Sequence, residues 1–340
     1  MRTGVEPKPA WRRIPLSIRK ATSEALGAEV TTGRRVWGGY GPSPTFRLRL
    51  ADGRRAFLKG CSPDASEFMR AAFARELTVY EELHELIGEW SPSVYGHFTR
   101  DDWNILILED VGPKSVPPWT ARPAKSIVQS FARFHAANKG VALPDWLKRP
   151  SEWMDDPGLV WNWTRDRGSR IERSAVASDS AAEAAEWFAR NGPMLRSVSS
   201  RLKTTPLPSQ LLHCDARSDN LRWKNGRLYL VDWAEAVAGP PEFDAAVFIQ
   251  SIAVESPLDP ETILGWYREV NPLDPKITEA AVCVAAAFFA DRAWLPELPG
   301  LPRLRTFQKR QLVVTLRWAL RRLGVETPMW LRAMAEVPAE

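Results

Sequence analysis

Apolar and polar residues alternate along short segments in the first third of the chain, which predicts a small antiparallel sheet. Thr45–Leu50 (TFRLRL) alternates strictly, as expected of a strand with one buried face. Turn residues such as Asp52-Gly53 separate the segments and favour hairpin connections between neighbouring strands. The other predicted strands are Val30–Trp37, Arg55–Lys59, Val94–Phe98 and Asn104–Leu108.

Helical spacing of apolar residues accompanies the predicted sheet and dominates the chain beyond residue 112. Residues 14–27 predict a helix that ends at Gly27. A second helix is predicted at Ser66–Ile87, with an apolar stripe at Phe68, Ala72, Leu77, Tyr80, Leu83 and Leu86. The later predicted helices are Lys125–Asn138, Ala181–Arg190, one opening at Asp244 as N-cap, Pro260–Val270, Lys276–Trp294 and Leu304–Leu323. The pattern predicts an α+β protein with one part at residues 1–112 and another at residues 113–340.

One polar stretch between the predicted helices carries most of the candidate chemistry. An apolar pair, Leu211-Leu212, is followed within eight residues by His213, Asp215, Arg217, Asp219 and Asn220. Asn225-Gly226 then separates two apolar runs, and this dipeptide predicts a tight hairpin turn. The second run ends at Asp232, beside the polar loop that precedes the first run. We therefore expect Asp215, Asn220 and Asp232 to lie around one point.

These three side chains match the needs of phosphoryl transfer from a nucleotide. One carboxylate can accept the proton of an attacking hydroxyl, while an amide and a second carboxylate can hold magnesium. The spacing Asp-x-x-x-x-Asn between Asp215 and Asn220 is that of a kinase catalytic loop. The alternative interpretation is a polar hairpin whose acidic residues only cap turns, but it leaves the spacing of the three groups unexplained.

The segment His213-Cys214-Asp215 through Asn220, followed by Val231-Asp232-Trp233, resembles the catalytic segment of the aminoglycoside phosphotransferase family. That family includes choline kinase and homoserine kinase relatives and has a protein-kinase-like fold. Cys214 stands where members usually have glycine, and Arg217-Ser218-Asp219 replaces the frequent His-Pro-Gly before the asparagine. The resemblance implies a bilobal fold with an antiparallel five-stranded N-lobe and a mainly helical C-lobe.

The resemblance also implies roles for the catalytic residues. Asp215 would be the catalytic base, and Asn220 and Asp232 would be the Mg²⁺ ligands. Arg217 would stabilise the transferred phosphoryl group, although an ordinary surface arginine is an equal interpretation. Asp244 would brace the backbone of the catalytic loop, and His213 would orient that loop. His135 is expected to be structural, as a buried histidine that satisfies a backbone partner.

A nucleotide site is implied in the first part of the chain. Lys59 ends the third predicted strand and would hold the ATP phosphates, oriented by Glu76 of the following helix. Glu67, Glu81 and Glu82 compete for the role of Glu76, and a surface lysine is the alternative for Lys59. A turn-rich loop with Gly39, Gly41 and Ser43 would cover the phosphates, unless it is a plain hairpin. Main-chain groups at Glu109 and Val111 would pair with the adenine edge, which leaves ATP and GTP indistinguishable.

Composition adds limits on location and partners. The chain has 340 residues, 44% hydrophobic and 26% charged, as in an ordinary globular protein. Its three cysteines are widely spaced, which excludes a disulfide framework and a zinc-finger pattern and favours the cytoplasm. No signal-peptide pattern is present, and the longest apolar run, Ala280–Ala290, predicts a buried helix because it is too short to cross a membrane. The net charge of +5 comes from basic residues near both ends, at helical spacing and without a nucleic-acid-binding motif.

From these observations, the expected protein is a small-molecule O-phosphotransferase that moves the γ-phosphoryl group of ATP to an acceptor hydroxyl. The acceptor could be an aminoglycoside, another antibiotic or a hydroxylated metabolite, and acidic residues between Glu255 and Glu297 would suit a cationic one. Trp146, Trp153, Trp161 and Trp163 could stack on an acceptor ring or pack in the core. No membrane or nucleic-acid partner is expected, and the protein could be a monomer or a homodimer. The alternative function is a nucleotide-binding pseudo-kinase or regulatory module without turnover.

Overall fold

A computed structural model describes residues 8–37, 43–154, 159, 161, 180–205, 209–293, 295–298, 301 and 303–335. The chain divides into two compact units. The first comprises Met1–Val116, Ser218–Ala236 and Leu298–Pro302. The second comprises Pro117–Arg217, Val237–Glu297 and Arg303–Glu340.

The first unit contains a five-stranded antiparallel sheet, which confirms the predicted fold class. All five predicted strands are present, and they lie in the order β1-β2-β3-β5-β4. In register, Thr45 faces Lys59 and Arg47 faces Phe57 across the second and third strands. The strands are β1 (Val30–Arg35), β2 (Thr45–Leu50), β3 (Arg55–Cys61), β4 (Val94–Arg100) and β5 (Trp103–Glu109).

One face of the sheet is apolar and packs on the first helix, α1 (Leu16–Leu26). This helix ends as predicted at Gly27, whose φ of 64° lies in the left-handed region that favours glycine. Each fully buried aliphatic or aromatic side chain contributes about 1.5–3 kcal/mol to this packing. The buried core residues are Ile14, Ile18, Leu26, Phe46, Leu48, Leu50, Ala56, Leu58, Ile105 and Ile107. Because side chains alternate along a strand, Arg47, Phe57 and Lys59 point to the opposite face.

The helix predicted at Ser66–Ile87 is present as α2 (Glu67–Glu82) and a short α3 (His84–Ile87). Ser66 caps its start by accepting a hydrogen bond from Met69 N at 3.3 Å. The predicted apolar stripe was only partly correct: Tyr80 and Leu83 are buried, but Phe68 is 71% exposed and Leu77 is only half-buried. Beside Tyr80, the buried face of α2 carries Phe73, Glu76 and Val79. Hydrophobic periodicity missed this face because a glutamate lies at its centre.

The hairpin predicted around Asn225-Gly226 is also present. It consists of β7 (Leu221–Lys224) and β8 (Arg227–Leu230), and both turn residues have positive φ, 52° and 78°. Two positive φ values match the tight turn that Asn-Gly favours. The hairpin is fixed within the first unit because Leu230 N donates a 2.6 Å hydrogen bond to the carbonyl of Trp90.

In its described residues, the second unit is mainly helical and includes a two-stranded antiparallel sheet of β6 (Gln210–Leu212) and β9 (Val237–Gly239). The helices described there are α4 (Ala121–Ala137), α5 (Pro150–Trp153), α6 (Ala181–Thr204), α7 (Pro241–Val254), α8 (Pro260–Arg268), α9 (Pro275–Arg292), α10 (Leu304–Arg322) and α11 (Met329–Ala335). The alanine-rich α9 is largely buried and packs on α6, α7 and α10, which confirms the helix predicted at Ala280–Ala290. Within the described ranges, no helix combines the length and apolar character needed to span a membrane.

Three predicted helix ends in this unit were wrong. The helix expected to start at Lys125 begins one turn earlier, at Ala121. The helix beginning at Ala181 does not stop at Arg190 but runs through Pro193 to Thr204. The helix expected to start at Asp244 begins one turn earlier, at Pro241, since proline fits the first position of a helix. Asp244 is therefore not an N-cap, and its side chain is free to bind another part of the chain.

Candidate functional site

A lysine and two carboxylates meet in the first unit. Lys59 Nζ lies 2.5 Å from Glu76 Oε2 and 2.8 Å from Asp232 Oδ1. Glu76 is buried, with a side chain that is 1% exposed, whereas the Asp232 side chain is 42% exposed. The third strand, the second helix and the end of the hairpin thus each supply one charged group to a single contact.

The charges of this triad perturb one another. Burial raises the pKa of the Glu76 carboxyl to about 7, although the Lys59 ammonium opposes the shift. Burial alone would lower the pKa of Lys59, but the Asp232 and Glu76 carboxylates outweigh it and raise that pKa above its usual value. Lys59 therefore keeps its positive charge at neutral pH, whereas the Glu76 carboxyl, with its raised pKa, gains or loses its proton close to neutral pH.

The structure separates Glu76 from the competing glutamates of the same helix. Glu67, Glu81 and Glu82 are exposed, and Glu81 pairs with His97 at 2.9 Å. Glu76 differs from these three glutamates by its contact with Lys59, a residue of another element, β3. The predicted contact between Lys59 and Glu76 is present in the structure.

Asp232 is held in an unusual backbone conformation. Its φ of 67° and ψ of 67° lie in the left-handed region, which aspartate tolerates better than most residues. The next residue, Trp233, is fully buried and donates its Nε1–H to Ser91 Oγ at 2.7 Å. Arg75 of α2 also donates to the carbonyl of Ala234 at 3.0 Å. Sequence analysis missed these anchors, since neither Ser91 nor Arg75 belongs to a motif.

Asn220 lies one residue before β7 and is 4% exposed. Its carbonyl accepts a 2.9 Å hydrogen bond from Val231 N, which extends the hairpin ladder by one pair. Asn220 and Asp232 therefore lie on adjoining positions of the same hairpin, and both offer oxygen ligands.

The oxygen atoms of Asn220 and Asp232 suit Mg²⁺ better than a metal ion whose ligands all come from the protein. Among the described residues, no group of three or more His, Cys, Asp and Glu side chains could hold a metal ion. Mg²⁺ is usually bound by one or two carboxylates together with substrate phosphates and water. Asn220 and Asp232 could supply the protein's part of such a set of ligands.

In the second unit, Asp215 forms a two-pronged ion pair with Arg217. Arg217 Nε lies 3.0 Å from Asp215 Oδ1, and Nη2 lies 3.1 Å from Oδ2. Both side chains are part-buried, and the hydrogen bond from Nη2 is of the charge-assisted kind, which is stronger than a neutral one. Asp215 N also donates to His213 Nδ1 at 3.2 Å, so His213 orients this loop as expected.

Asp244 fixes the backbone just before Asp215. Its Oδ2 accepts a 2.6 Å hydrogen bond from His213 N, and its Oδ1 accepts a 2.9 Å bond from Cys214 N. His135 Nε2 lies 3.1 Å from Asp244 Oδ2, and His135 Nδ1 lies 2.7 Å from the hydroxyl of Tyr267. His135 and Asp244 are fully buried. The structural roles predicted for both residues are confirmed by these contacts.

Cys214 has a φ of 60°, in the left-handed region. This explains why a glycine suits the position in the related sequences described above, because glycine takes positive φ without steric cost. The bond from Cys214 N to Asp244 helps to hold this conformation.

The structure describes only some of the residues that are predicted to contact the nucleotide. Val111 N donates to the carbonyl of Glu109 at 3.1 Å, so the two groups expected to bind adenine contact each other. Ser43 is half-buried ahead of β2, while Gly39 and Gly41 lie outside the described residues. Contact of these five groups with a nucleotide therefore stays a prediction.

The tryptophans near the start of the second unit are not all equivalent. Trp161 is fully buried and donates to the carbonyl of Cys283 at 3.2 Å, and Trp153 donates to that of Ala238 at 3.1 Å. Core packing therefore accounts for these two, whereas Trp146 is 38% exposed. Trp163 lies outside the described residues.

The five-stranded antiparallel sheet with its Lys59–Glu76 pair, together with the helical second unit, defines a protein-kinase-like fold. Similar solved structures include spectinomycin phosphotransferase APH(9)-Ia in complex with ADP and spectinomycin, at 15% identity and a TM-score of 0.59 over 94% of this chain and 97% of that one. A thermostable mutant of aminoglycoside phosphotransferase APH(4)-Ia with ADP and hygromycin B has 15% identity and a TM-score of 0.55 over 94% and 100%. Choline kinase LicA from Streptococcus pneumoniae has 15% identity and a TM-score of 0.54 over 91% and 98%.

Sequence comparison identifies the family. Residues 32–277 match the phosphotransferase enzyme family (APH), and the chain belongs to that family. No curated protein matches the chain. The matched residues include Lys59, Glu76, Asp215, Asn220 and Asp232.

Proposed function

We propose that this protein transfers the γ-phosphoryl group of ATP to a hydroxyl group of a small molecule. The observation that carries the proposal is the contact of Lys59 with both Glu76 and Asp232. A lysine that merely ended a surface strand would not need a buried glutamate. A phosphate-binding lysine needs one, because its ammonium must be fixed in position before the nucleotide arrives.

In this proposal, Lys59 binds the α- and β-phosphates of ATP, and Glu76 keeps its ammonium in place. Asn220 and Asp232 would bind Mg²⁺, which would neutralise charge on the triphosphate. Lys59 leaves its contact with Asp232 when the phosphates bind, and the Asp232 carboxylate becomes available as a ligand.

Asp215 orients the acceptor hydroxyl and accepts its proton. The acceptor oxygen then bonds to the γ-phosphorus, the bond from that phosphorus to the bridging oxygen breaks, and ADP leaves with the electron pair. Arg217, which pairs with Asp215 in the present structure, would turn part of its guanidinium toward the transferred group.

Several acceptor classes are compatible with this site. The similar structures carry names of enzymes for spectinomycin, hygromycin B and choline, which share hydroxyl groups and, in each case, a cationic nitrogen. We therefore propose a hydroxylated cationic small molecule, either an antibiotic or a metabolite. A role in antibiotic resistance would follow only if the acceptor is an antibiotic.

The alternative functions have less support. A pseudo-kinase would need no base, yet Asp215 and both metal-binding positions carry competent side chains. Nucleic-acid binding would use the basic end of the chain, but Arg321 and Arg322 pair with Asp259 and Glu261 at 2.7 Å and 2.6 Å. The proposed cytoplasmic location and the state as monomer or homodimer stay predictions.

An acceptor screen tests the proposed function. Purified protein with ATP and magnesium is incubated with aminoglycosides, other hydroxylated antibiotics, amino alcohols and sugars, and ADP release and phosphorylated product are both measured. We expect turnover on one acceptor class, with a product heavier by one phosphoryl group. Nucleotide binding without turnover on a broad panel would favour the pseudo-kinase.

The perturbed Glu76 carboxyl predicts a pH dependence of nucleotide affinity. With a pKa of about 7, Glu76 is ionised above pH 7 and gains a proton as the pH falls below it. Protonation removes its charge from the pair with Lys59, so nucleotide affinity should decrease by up to about tenfold per pH unit below pH 7. Titration calorimetry with MgADP between pH 6 and pH 8 measures this decrease.

Glu76→Gln provides the comparison, because the ligand phosphates titrate equally for both proteins. The variant should bind MgADP more weakly at pH 8 and lack the additional decrease below pH 7. Glu67→Gln, on the exposed side of the same helix, should behave as wild type. Identical pH profiles for wild type and Glu76→Gln would refute the assignment.

A further inference from the structure

A row of side chains continues from Lys59 along the outer face of the sheet. Arg47 of β2 is paired in register with Phe57 of β3, and Thr45 is paired with Lys59. Residues two apart on a strand are separated by about 6.7 Å and share a face. Arg47 and Phe57 thus lie one step from the phosphate-binding lysine, toward the end of the sheet where β5 leads into Glu109.

Arg47 is held across this face by an acidic residue. Its Nε lies 3.3 Å from Asp110 Oδ1, and Asp110 also accepts a hydrogen bond from Gly112 N at 3.0 Å. β3 separates β2 from β5, so the two backbones are about 10 Å apart and the ion pair must pass over β3. The residue of β3 level with Arg47 is Phe57, so Phe57 lies on the same face between the backbones of Arg47 and Asp110.

A second arginine lies near this pair. Arg222 of β7 donates to the carbonyls of Asp219 and Leu221 at 3.0 Å and 2.6 Å. Burial lowers the pKa of its guanidinium, and the positive charge of Arg47 lowers it further, while Asp219 and Asp110 oppose the shift. Arg47, Arg222, Asp110 and Asp219 therefore form a group of two cations and two anions with no net charge, which we call the Arg47 cluster.

The Arg47 cluster suits a flat ring better than it suits phosphate. Its charges cancel, so it offers little attraction to a polyanion at long range. The Arg47 side chain pairs with Asp110 through Nε and keeps a side-chain exposure of 24%. A planar guanidinium can pack against an aromatic base by stacking and cation–π attraction, and the Phe57 side chain lies on the same face.

We propose that Arg47, held by Asp110, is the residue that packs on the base of the bound nucleotide and selects purine nucleotides over smaller bases and over polyphosphate without a base. The inference rests on the proposed function, because it assumes that Lys59 binds the phosphates. It places the base one step along the same sheet face. A purine is larger than a pyrimidine and covers more of the sheet face that carries Arg47 and Phe57, so purine nucleotides should bind more tightly than pyrimidine nucleotides.

Titration calorimetry with four magnesium complexes tests this proposal: ADP, GDP, CDP and tripolyphosphate. Wild type should bind ADP and GDP more tightly than CDP, and CDP more tightly than tripolyphosphate. Arg47→Ala should weaken the binding of ADP and GDP about tenfold, which lies within the range for cation–π contacts. Its affinity for tripolyphosphate should fall by less than its affinity for ADP and GDP, because a ligand without a base is affected by the lost positive charge but has no stacking contact to lose.

Two further variants separate the possible causes. Arg47→Lys keeps the charge but loses the plane, so it should resemble Arg47→Ala if stacking matters and wild type if charge matters. Arg49→Ala removes an exposed arginine from the same face of β2, two residues further along, and should bind all four ligands as wild type does. Arg47→Lys also retains the long stem of the side chain, so it carries the test if Arg47→Ala does not fold.

Each outcome has a distinct meaning. Equal weakening of ADP and tripolyphosphate in Arg47→Ala would overturn the proposal and assign Arg47 to the phosphates. Unchanged ADP affinity would overturn it as well. If wild type binds none of the four ligands, the proposed nucleotide-dependent function fails first, and this result differs from a protein that binds ADP and tripolyphosphate equally.

Discussion

Asp215→Asn should lower turnover on the identified acceptor by about 10²–10⁴-fold, the usual contribution of a general base. Asparagine has nearly the same shape as aspartate but cannot accept the proton of the attacking hydroxyl. The variant also weakens the ion pair with Arg217, which holds Asp215 at 3.0 Å and 3.1 Å in the wild-type structure. Steady-state kinetics at saturating ATP and acceptor measure the loss.

Nucleotide affinity distinguishes a chemical effect from a structural one in this variant. Lys59, Glu76 and Asp232 belong to the first unit, whereas Asp215 belongs to the second, so MgADP should bind Asp215→Asn about as tightly as wild type. Asp145→Asn replaces an exposed aspartate in the second unit and should keep full turnover. Turnover of Asp215→Asn within a few-fold of wild type would exclude Asp215 as the base.

Asp244→Ala should be the most destabilising single change at the candidate site, with a loss of about 3–5 kcal/mol in the free energy of unfolding. The substitution leaves the N–H groups of His213 and Cys214 without their buried carboxylate and removes a partner of His135. Each buried polar group that loses its hydrogen-bond partner costs free energy in the folded state. Urea denaturation of wild type and variant measures the difference.

Asp259 offers a matched control in the same unit. Its side chain caps the start of α8 by accepting from Glu261 N and Thr262 N, but it is exposed. Asp259→Ala should therefore cost only about 1–2 kcal/mol, since it loses a helix cap and an exposed ion pair with Arg321. A loss of similar size for both variants would show that the buried contacts of Asp244 contribute no more than a surface cap.

Local patterns predicted the secondary structure of the first unit well. Alternation placed β2, short segments bounded by turn residues placed the other four strands, and Asn225-Gly226 placed the hairpin, because these signals depend on neighbouring residues only. The stripe predicted for α2 was correct only at Tyr80 and Leu83, because burial at its other positions depends on distant elements. Glu76 is buried through its contact with Lys59, seventeen residues away, and Phe68 is exposed although it is apolar. Periodicity counts apolar residues and cannot anticipate a buried charge whose partner lies on another element.

The sequence also did not predict that the hairpin of β7 and β8 belongs to the same unit as the five-stranded sheet. Residues 218–236 belong to the first unit, although a hundred residues of the second unit precede them in the chain. The contacts responsible are single long-range ones, such as Ser91 with Trp233 and Trp90 with Leu230. The Arg47–Asp110 pair was missed for the same reason, since neither residue belongs to a sequence motif.

The left-handed backbone at Asp232 limits which residues can replace this aspartate, both in natural relatives and in engineered variants. At a φ of 67°, an alanine would add steric strain of about 1–2 kcal/mol to the loss of the carboxylate, so Asp232→Ala mixes two effects. Asparagine tolerates this conformation and removes only the charge. Natural variants at this position should therefore be confined to aspartate, asparagine and glycine, and a survey of related sequences would show the backbone as a second selective constraint beside the chemistry.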